Sequence, residues 1–86
     1  MTTDARRIVD DALTEVAPDI DPTTLAAGDE LRSTARLDSL DFLHVLAAIH
    51  RTCGVDVPET DYGLVATYGG LVDYVGKGLN ASDPSG

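Results

Sequence analysis

The stretch DSLDFLHVLAAIHRTCG, residues 38–54, contains the signals for both ends of one helix. Asp38 is a favourable N-cap, and Asp41 stands three residues later, close to the pattern of a capping box. Gly54 suits the left-handed residue that ends many helices. The sequence therefore predicts a helix that begins at Ser39 and ends at the residue before Gly54.

At about 100° per residue, this helix has two different faces. The face expected to join the core consists of Phe42, Leu46, Ile49 and Cys53. The opposite face mixes apolar and polar side chains, as an exposed docking surface would, and consists of Leu40, His44, Ala47 and Arg51. On this pattern Cys53 is expected to be a small buried side chain rather than a reactive thiol.

A first helix is predicted from about Asp4 to Val16, with Thr3 or Asp4 as its N-cap. Pro18 should end it, because the residue before a proline avoids the helical region. Apolar residues recur along this segment at spacings of three and four, which predicts one buried face. That face comprises Ile8, Val9, Ala12, Leu13 and Val16.

A last helix is predicted from about Tyr68 to Gly78, capped by Thr67, although its glycines lower its intrinsic stability. Its inward-facing residues should be Leu71, Val72, Val75 and Leu79. A short helix or turn is expected within residues 59–66.

The connection over residues 18–37 is long for a small domain and must be anchored to stay compact. A single turn should start at Asp21-Pro22, since aspartate caps and proline fits a first helical position. The candidate anchors are Ile20, Leu25, Leu31 and Leu37. No alternating strand pattern is present. The expected fold is all-α: a small four-helix bundle of three main helices and one short helix, with a long first loop.

Composition limits the possible functions. The chain has 86 residues, enough for one domain, with 15 acidic and 6 basic side chains and a net charge of -9. Such a surface repels nucleic acids and anionic membranes and favours basic partners. Cys53, the single cysteine, excludes an internal disulfide and a cysteine-based zinc site. Without a membrane-spanning stretch or a signal-peptide pattern, we expect a soluble cytoplasmic protein. We also expect the chain to be a monomer.

Catalytic patterns are absent from the sequence. The glycines at 69, 70, 76 and 78 follow no strand and match no nucleotide-binding motif. His44 and His50 lie about 120° apart around a helix, so they do not form a metal-binding pair. Ser39 has no base that helix geometry would bring to it. We therefore expect no catalytic residues, no metal site and no enzymatic activity.

Ser39 nevertheless occupies a position suited to a modification. Its hydroxyl should be exposed at the first residue of a helix, where a phosphate would face the positive end of the helix dipole. Asp38 and Asp41 could help to hold a divalent ion while a partner transfers a phosphoryl group. The alternative interpretation is that Asp38 and Ser39 are ordinary residues of a helix start.

Several short motifs occur in an order and spacing that resemble the acyl carrier protein family over about residues 4–79. They are Asp38-Ser39-Leu40-Asp41, Val57-Pro58-Glu59, Ala66-Thr67 and Val72-Asp73-Tyr74-Val75. The resemblance implies a carrier domain over residues 1–79. Residues 80–86 are small and polar, which predicts a disordered tail.

The resemblance also implies a 4′-phosphopantetheine arm on Ser39, flanked by Asp38 and Leu40. A separate Mg²⁺-dependent phosphopantetheinyl transferase would supply the arm from coenzyme A. Its thiol would hold an acyl group as a thioester for acyl-loading and acyl-transferring enzymes. Partner docking would then involve Asp41, His44, Ala47 and Arg51.

Departures from the family pattern bear on which type of carrier this chain resembles. His44, His50 and Arg51 stand where carriers of fatty acid synthesis often have glutamate, and Arg36 stands where glycine is common. The chain is more similar to a less common group of stand-alone bacterial carriers, which implies a specialised lipid, polyketide or related pathway. The alternatives are an aminoacyl or peptidyl carrier, although the Gly-Gly-x-Ser context is absent, and an unmodified acidic helical interaction module.

Overall fold

The computed structural model describes residues 2–34 and 37–81, which form helices joined by loops. The α-helices are α1 (Thr2–Val16), α2 (Leu31–Thr34), α3 (Ser39–Cys53) and α4 (Tyr68–Ala81). Two 3₁₀ segments, Pro22–Thr24 and Glu59–Val65, lie in the connections. Within these described ranges the only β pairing is an isolated antiparallel bridge between Glu30 and Thr67. The predicted fold class, a small all-α bundle, is confirmed.

Helix α1 begins earlier than the sequence pattern predicts. It starts at Thr2, so Thr3 and Asp4 lie inside it, and the prediction of either as the N-cap is wrong. A cap residue has non-helical torsions, whereas both of these are helical. The end at Val16 is confirmed. The buried face consists of Ala5, Val9, Ala12 and Leu13, with Ile8 and Val16 partly buried against the core.

Helix α3 has the predicted bounds, and Gly54 ends it at a φ of 79°. The Gly54 N–H donates to the carbonyl of His50 at 2.8 Å. The core face is wider than predicted, comprising Phe42, Val45, Leu46, Ala48 and Ile49. Cys53 is only half-buried against the core, with its Sγ 3.3 Å from the Ile49 carbonyl. The predicted burial of Cys53 is therefore only partial.

The predicted turn in the long connection is confirmed as the 3₁₀ segment Pro22–Thr24. Asp21 caps it, and its Oδ1 accepts hydrogen bonds from the hydroxyl of Thr23 at 2.6 Å and from the Thr23 N–H at 3.0 Å. These bonds favour the ionised carboxylate and lower the pKa of Asp21.

Burial of apolar side chains holds the rest of this connection in place. Leu25, Leu31 and Leu37 are buried as predicted, and Ile20 is partly buried. The four-residue helix α2 was not predicted. Leu31, its first residue, is fully buried and its N–H donates to the Ala66 carbonyl at 2.9 Å. A contact with a distant segment therefore stabilises this turn, which is too short to be stable alone.

Helix α4 begins as predicted, since the Gly70 N–H donates to the Thr67 hydroxyl at 3.0 Å. Leu71 and Val75 are fully buried, and Val72 and Leu79 are partly buried. The helix continues to Ala81, so its predicted end at Gly78 is three residues early, and the expected tail begins inside the helix. The remaining tail, residues 82–86, and Arg36 lie outside the described residues.

Two glycines allow the start of α4 to pack closely against neighbouring backbone. The Gly69 N–H donates to the Ala27 carbonyl at 2.8 Å, and a Cβ on Gly69 would lie 2.7 Å from the Ala27 Cβ. A Cβ on Gly70 would overlap the Leu64 carbonyl oxygen. This close packing joins α4 to the long connection and to the second 3₁₀ segment. Across the described part of the chain, no helix has the length and apolar character needed to cross a membrane.

Candidate functional site

The site is built around the start of α3. Asp38 has extended backbone torsions, and its Oδ1 accepts a hydrogen bond from the Asp41 N–H at 2.8 Å. The first turn closes through the Phe42 N–H, which donates to the Asp38 carbonyl at 2.9 Å. Ser39 is consequently the first residue of the helix, and its side chain is exposed. The predicted cap and the predicted exposure of Ser39 both match the structure.

Two buried side chains hold this junction. Leu37 is 2% exposed just before the cap, and Phe42 is 6% exposed in the first turn. Because these two residues point into the core, Ser39 and Leu40 between them point outward, and Leu40 is 60% exposed. The serine is therefore presented at a helix start whose neighbours are anchored in the core, beside an exposed leucine.

Arg32, on α2, contacts the Ser39 side chain. Its Nη2 donates to the Ser39 Oγ at 3.2 Å. Arg32 is not predicted as a site residue from the sequence, because it lies in the long connection, seven residues before the serine and outside α3. No local pattern indicates this contact, which depends on the burial of Leu31 beside it.

A small cavity opens next to Ser39. It has a volume of about 300 Å³ and is lined by Arg32, Ser39, Phe42, Leu43, Tyr62, Gly63 and Ala66. Phe42 and Tyr62 meet edge to face, with ring centroids 5.7 Å apart. Leu43 was overlooked, although its position four residues after Ser39 places both on one side of the helix. The serine thus has an apolar recess on one side.

The wall formed by the second 3₁₀ segment is tied to α4. The Tyr74 hydroxyl donates to Oδ2 of Asp61 at 2.7 Å. Asp61 immediately precedes Tyr62 in the sequence. This hydrogen bond to a carboxylate raises the pKa of Tyr74, because the bond requires the protonated phenol. The contact holds the segment that carries Tyr62 against the bundle.

The residues predicted for partner docking lie on the surface of α3. His44, Ala47 and Arg51 are exposed, and Asp41 is half-buried at the first turn. Leu43 adds a further exposed apolar side chain, at 42% exposure. Arg51 forms an ion pair with Glu15 of α1 at 2.9 Å, a contact that the sequence pattern does not reveal.

Among the described residues, the side chains near Ser39 do not form a metal centre. In residues 2–34 and 37–81, no three histidine, cysteine, aspartate or glutamate side chains are grouped so that they could hold a metal ion. Asp38 and Asp41 lie at the serine, but one oxygen of Asp38 is engaged in capping.

A larger recess of about 530 Å³ is lined by residues that include Val55, Leu64 and Tyr74 but not Ser39.

Comparison with protein families matches residues 6–75 to the family described as phosphopantetheine attachment site. The chain belongs to this family. The match includes Ser39 and all of the residues that line the cavity beside it. Searches of the curated proteins and of the solved structures found no match.

Membership in the phosphopantetheine-attachment family establishes the general role of the chain. Proteins of this family are carriers rather than catalysts, and they hold a covalently attached 4′-phosphopantetheine group. Carriers interact with a phosphopantetheinyl transferase and with acyl-handling enzymes. The chain therefore has a phosphopantetheine-carrying function and is not an enzyme.

The residues around Ser39 fit the prosthetic group. A phosphodiester on the exposed Oγ would lie at the amino-terminal end of α3, where backbone N–H groups and the helix dipole favour an anion. Arg32 places a cation at the same oxygen. The apolar recess lined by Phe42, Leu43 and Tyr62 offers contact to the uncharged part of an arm.

Proposed function

We propose that Ser39 is the attachment site and that the chain carries acyl groups as thioesters on its phosphopantetheine arm. The observation that carries the proposal is the exposed Ser39 hydroxyl at the first residue of α3, inside the region matched to the attachment family. Asp38 and Leu40 flank the arm: Asp38 shapes the helix start, and Leu40 offers exposed apolar surface to a partner.

The test is the intact mass of the protein after incubation with coenzyme A and a broad-specificity phosphopantetheinyl transferase. The wild-type chain should gain the mass of one phosphopantetheine group. Ser39→Ala should abolish the gain, whereas Ser33→Ala, a change at an exposed serine of α2, should retain it. Modification of the Ser39→Ala protein would refute the assignment.

Folding of the Ser39→Ala protein can be checked in the same experiment. The capping oxygen belongs to Asp38, and the Ser39 side chain is exposed. The melting temperature of the Ser39→Ala protein should therefore stay close to that of the wild type. Asp38→Ala removes the cap and should lower stability by about 0.5–2 kcal/mol. A normal melting temperature together with no mass gain would assign the effect to the missing hydroxyl.

We further propose that this carrier is monomeric, similar to the stand-alone bacterial type, and binds neither nucleic acid nor membrane. Its pathway is expected to be a specialised lipid, polyketide or related one. The net charge of -9 supports basic protein partners. Only Asp38 and Asp41 are acidic within residues 38–53, so α3 itself offers little negative charge to a basic docking site.

Partner selectivity is tested with a ketosynthase or acyltransferase of general fatty acid synthesis. The paired change His44→Glu with Arg51→Glu should raise turnover of the loaded carrier, mainly through association and mainly at low salt. The paired change Arg7→Glu with Thr14→Glu adds the same formal charge on exposed positions of α1 and serves as the control. Equal turnover of the wild type and a housekeeping carrier would contradict a specialised role.

An aminoacyl or peptidyl carrier is the alternative within the family. The two kinds of carrier are distinguished by the group on the arm. The loaded protein is isolated from its source cells, and the mass of that group is measured. The unmodified acidic interaction module expected as an alternative from the sequence does not fit membership in the family, whose members carry the covalent group.

A further inference from the structure

We propose that Arg32 is a phosphate-binding residue that holds the phosphodiester of the arm on Ser39; this inference rests on the proposed attachment at Ser39. Its Nη2 already donates to the Ser39 Oγ at 3.2 Å. On modification, that oxygen would become the ester oxygen, so Arg32 would start within hydrogen-bond distance of the atom that carries the phosphorus.

The chemistry of the side chain suits this role. A guanidinium carries five N–H donors in a planar fork, so a donor engaged with the ester oxygen leaves others able to reach phosphate oxygens. Arg32 lines the cavity beside Ser39 and also the neighbouring recess lined by Glu30, Ser33, Leu37 and Asp38. The Arg32 side chain therefore borders both the cavity beside Ser39 and the recess beside its cap residue.

The charge environment distinguishes Arg32 from other cations of the chain. Within residues 2–34 and 37–81, the ion pairs join Arg51 to Glu15 and Lys77 to Asp73. Arg6 donates to the Tyr68 hydroxyl, which in turn is bonded to Asp10. In a chain with 15 acidic residues, Arg32 instead contacts a neutral hydroxyl. Its positive charge thus remains available for an anion added at that hydroxyl.

The backbone that carries Arg32 is held firmly. The preceding residue, Leu31, is fully buried, and its N–H bonds to the Ala66 carbonyl at 2.9 Å. The Leu31 carbonyl accepts from the Leu37 N–H at 3.4 Å, which ties α2 to the residue before the cap. Little ordering of the backbone is required when the phosphate arrives, and this favours binding.

The experiment compares apo and phosphopantetheine-loaded forms of the full chain. For the wild type, Arg32→Gln, Arg32→Lys and Arg7→Gln, the melting temperature is measured in both forms at low and high salt. Arg7 is an exposed arginine of α1, so Arg7→Gln removes the same charge as Arg32→Gln at a different place and serves as the control. The ³¹P resonance of each loaded protein supplies a direct readout of the phosphodiester.

In Arg32→Gln, the difference between loaded and apo melting temperatures should fall below that of the wild type by about 1–5 °C at low salt. The ³¹P resonance should also move. Arg32→Lys should restore part of both effects, Arg7→Gln should behave as wild type, and high salt should reduce the differences.

An unchanged temperature difference and ³¹P resonance in Arg32→Gln would overturn the role of Arg32 while leaving attachment at Ser39 intact. An equal effect of Arg7→Gln would also overturn it, because general charge rather than this contact would then be responsible. A wild-type chain that gains no mass from coenzyme A would instead refute the proposed function, and the role of Arg32 with it.

Discussion

Arg51 on α3 and Glu15 on α1 form an ion pair at 2.9 Å, although 36 residues separate them in the chain. Both side chains are more than half exposed, at 68% and 56%, so the pair contributes little to stability. Its consequence concerns docking. A basic partner that approaches α3 meets an arginine whose charge is already balanced by a neighbouring carboxylate, which leaves less repulsion than the sequence of α3 alone suggests.

This ion pair predicts an effect on partner association. Glu15→Gln should leave Arg51 unbalanced and lower the kcat/KM of a basic acyl-handling enzyme for the loaded carrier by about two- to fivefold at low salt. Asp11→Asn removes the same charge from another exposed position of α1 and should have a smaller effect. Equal effects of the two changes would show that Arg51 is not involved.

Two glycines of α4 should respond oppositely to alanine. A Cβ at Gly70 would overlap the Leu64 carbonyl oxygen, whereas a Cβ at Gly76 would make ordinary contact with Ala5 at 3.6 Å. Gly70→Ala should therefore destabilise the fold by about 1–3 kcal/mol, since a backbone shift is needed. Gly76→Ala should stabilise it by up to about 1 kcal/mol through helix propensity. Chemical denaturation measures both, and a loss of stability in Gly76→Ala would contradict the packing described.

Neighbouring residues of α3 should differ sharply in tolerance. Leu46 is 8% exposed and Ala47 is exposed, as their opposite faces predict. Leu46→Ala should cost about 2–5 kcal/mol, a large part of the stability of a small domain. Ala47→Gln keeps a good helix former on the surface and should change stability by less than about 0.5 kcal/mol. Similar losses of melting temperature at both positions would refute this orientation of α3.

The environment of Tyr68 predicts that the stability of the fold decreases at alkaline pH. It is 4% exposed, and its hydroxyl donates to Asp10 Oδ1 at 2.5 Å. Burial, together with this hydrogen bond, raises the pKa of Tyr68 above its ordinary value of 10.0. The stabilisation is therefore fully present below about pH 10 and is lost at higher pH, as the unfolded state ionises before the folded state.

The corresponding variant is Tyr68→Phe, which removes the hydroxyl and keeps the ring. At pH 7 it should be less stable than the wild type by about 0.5–1.5 kcal/mol. Melting temperatures measured from pH 7 to pH 11 should converge above pH 10, because only the wild type loses this contribution. A constant or widening gap over that range would contradict the assignment.

The elements with signals in neighbouring residues could be predicted from the sequence. Asp38 and Gly54 mark both ends of α3, and the pattern between them orients Leu46 inward and His44 outward. The exposed position of Ser39 follows from the same cap. These features depend on backbone torsions, capping bonds and helical periodicity. Each is set by residues only a few positions apart, so each can be predicted from the sequence.

Only the tertiary structure brings Arg32 to Ser39, Glu15 to Arg51 and Tyr68 to Asp10. The helix α2 likewise exists because Leu31 is buried and bonded to a distant carbonyl. Such contacts depend on how a long connection closes over the core, which no local periodicity encodes. Residues next to Ser39 therefore fix its exposed position and the two carboxylates beside it, Asp38 and Asp41, because capping is local. Packing of distant segments brings Arg32 and the cavity to it, because these contacts form only when the long connection closes over the core.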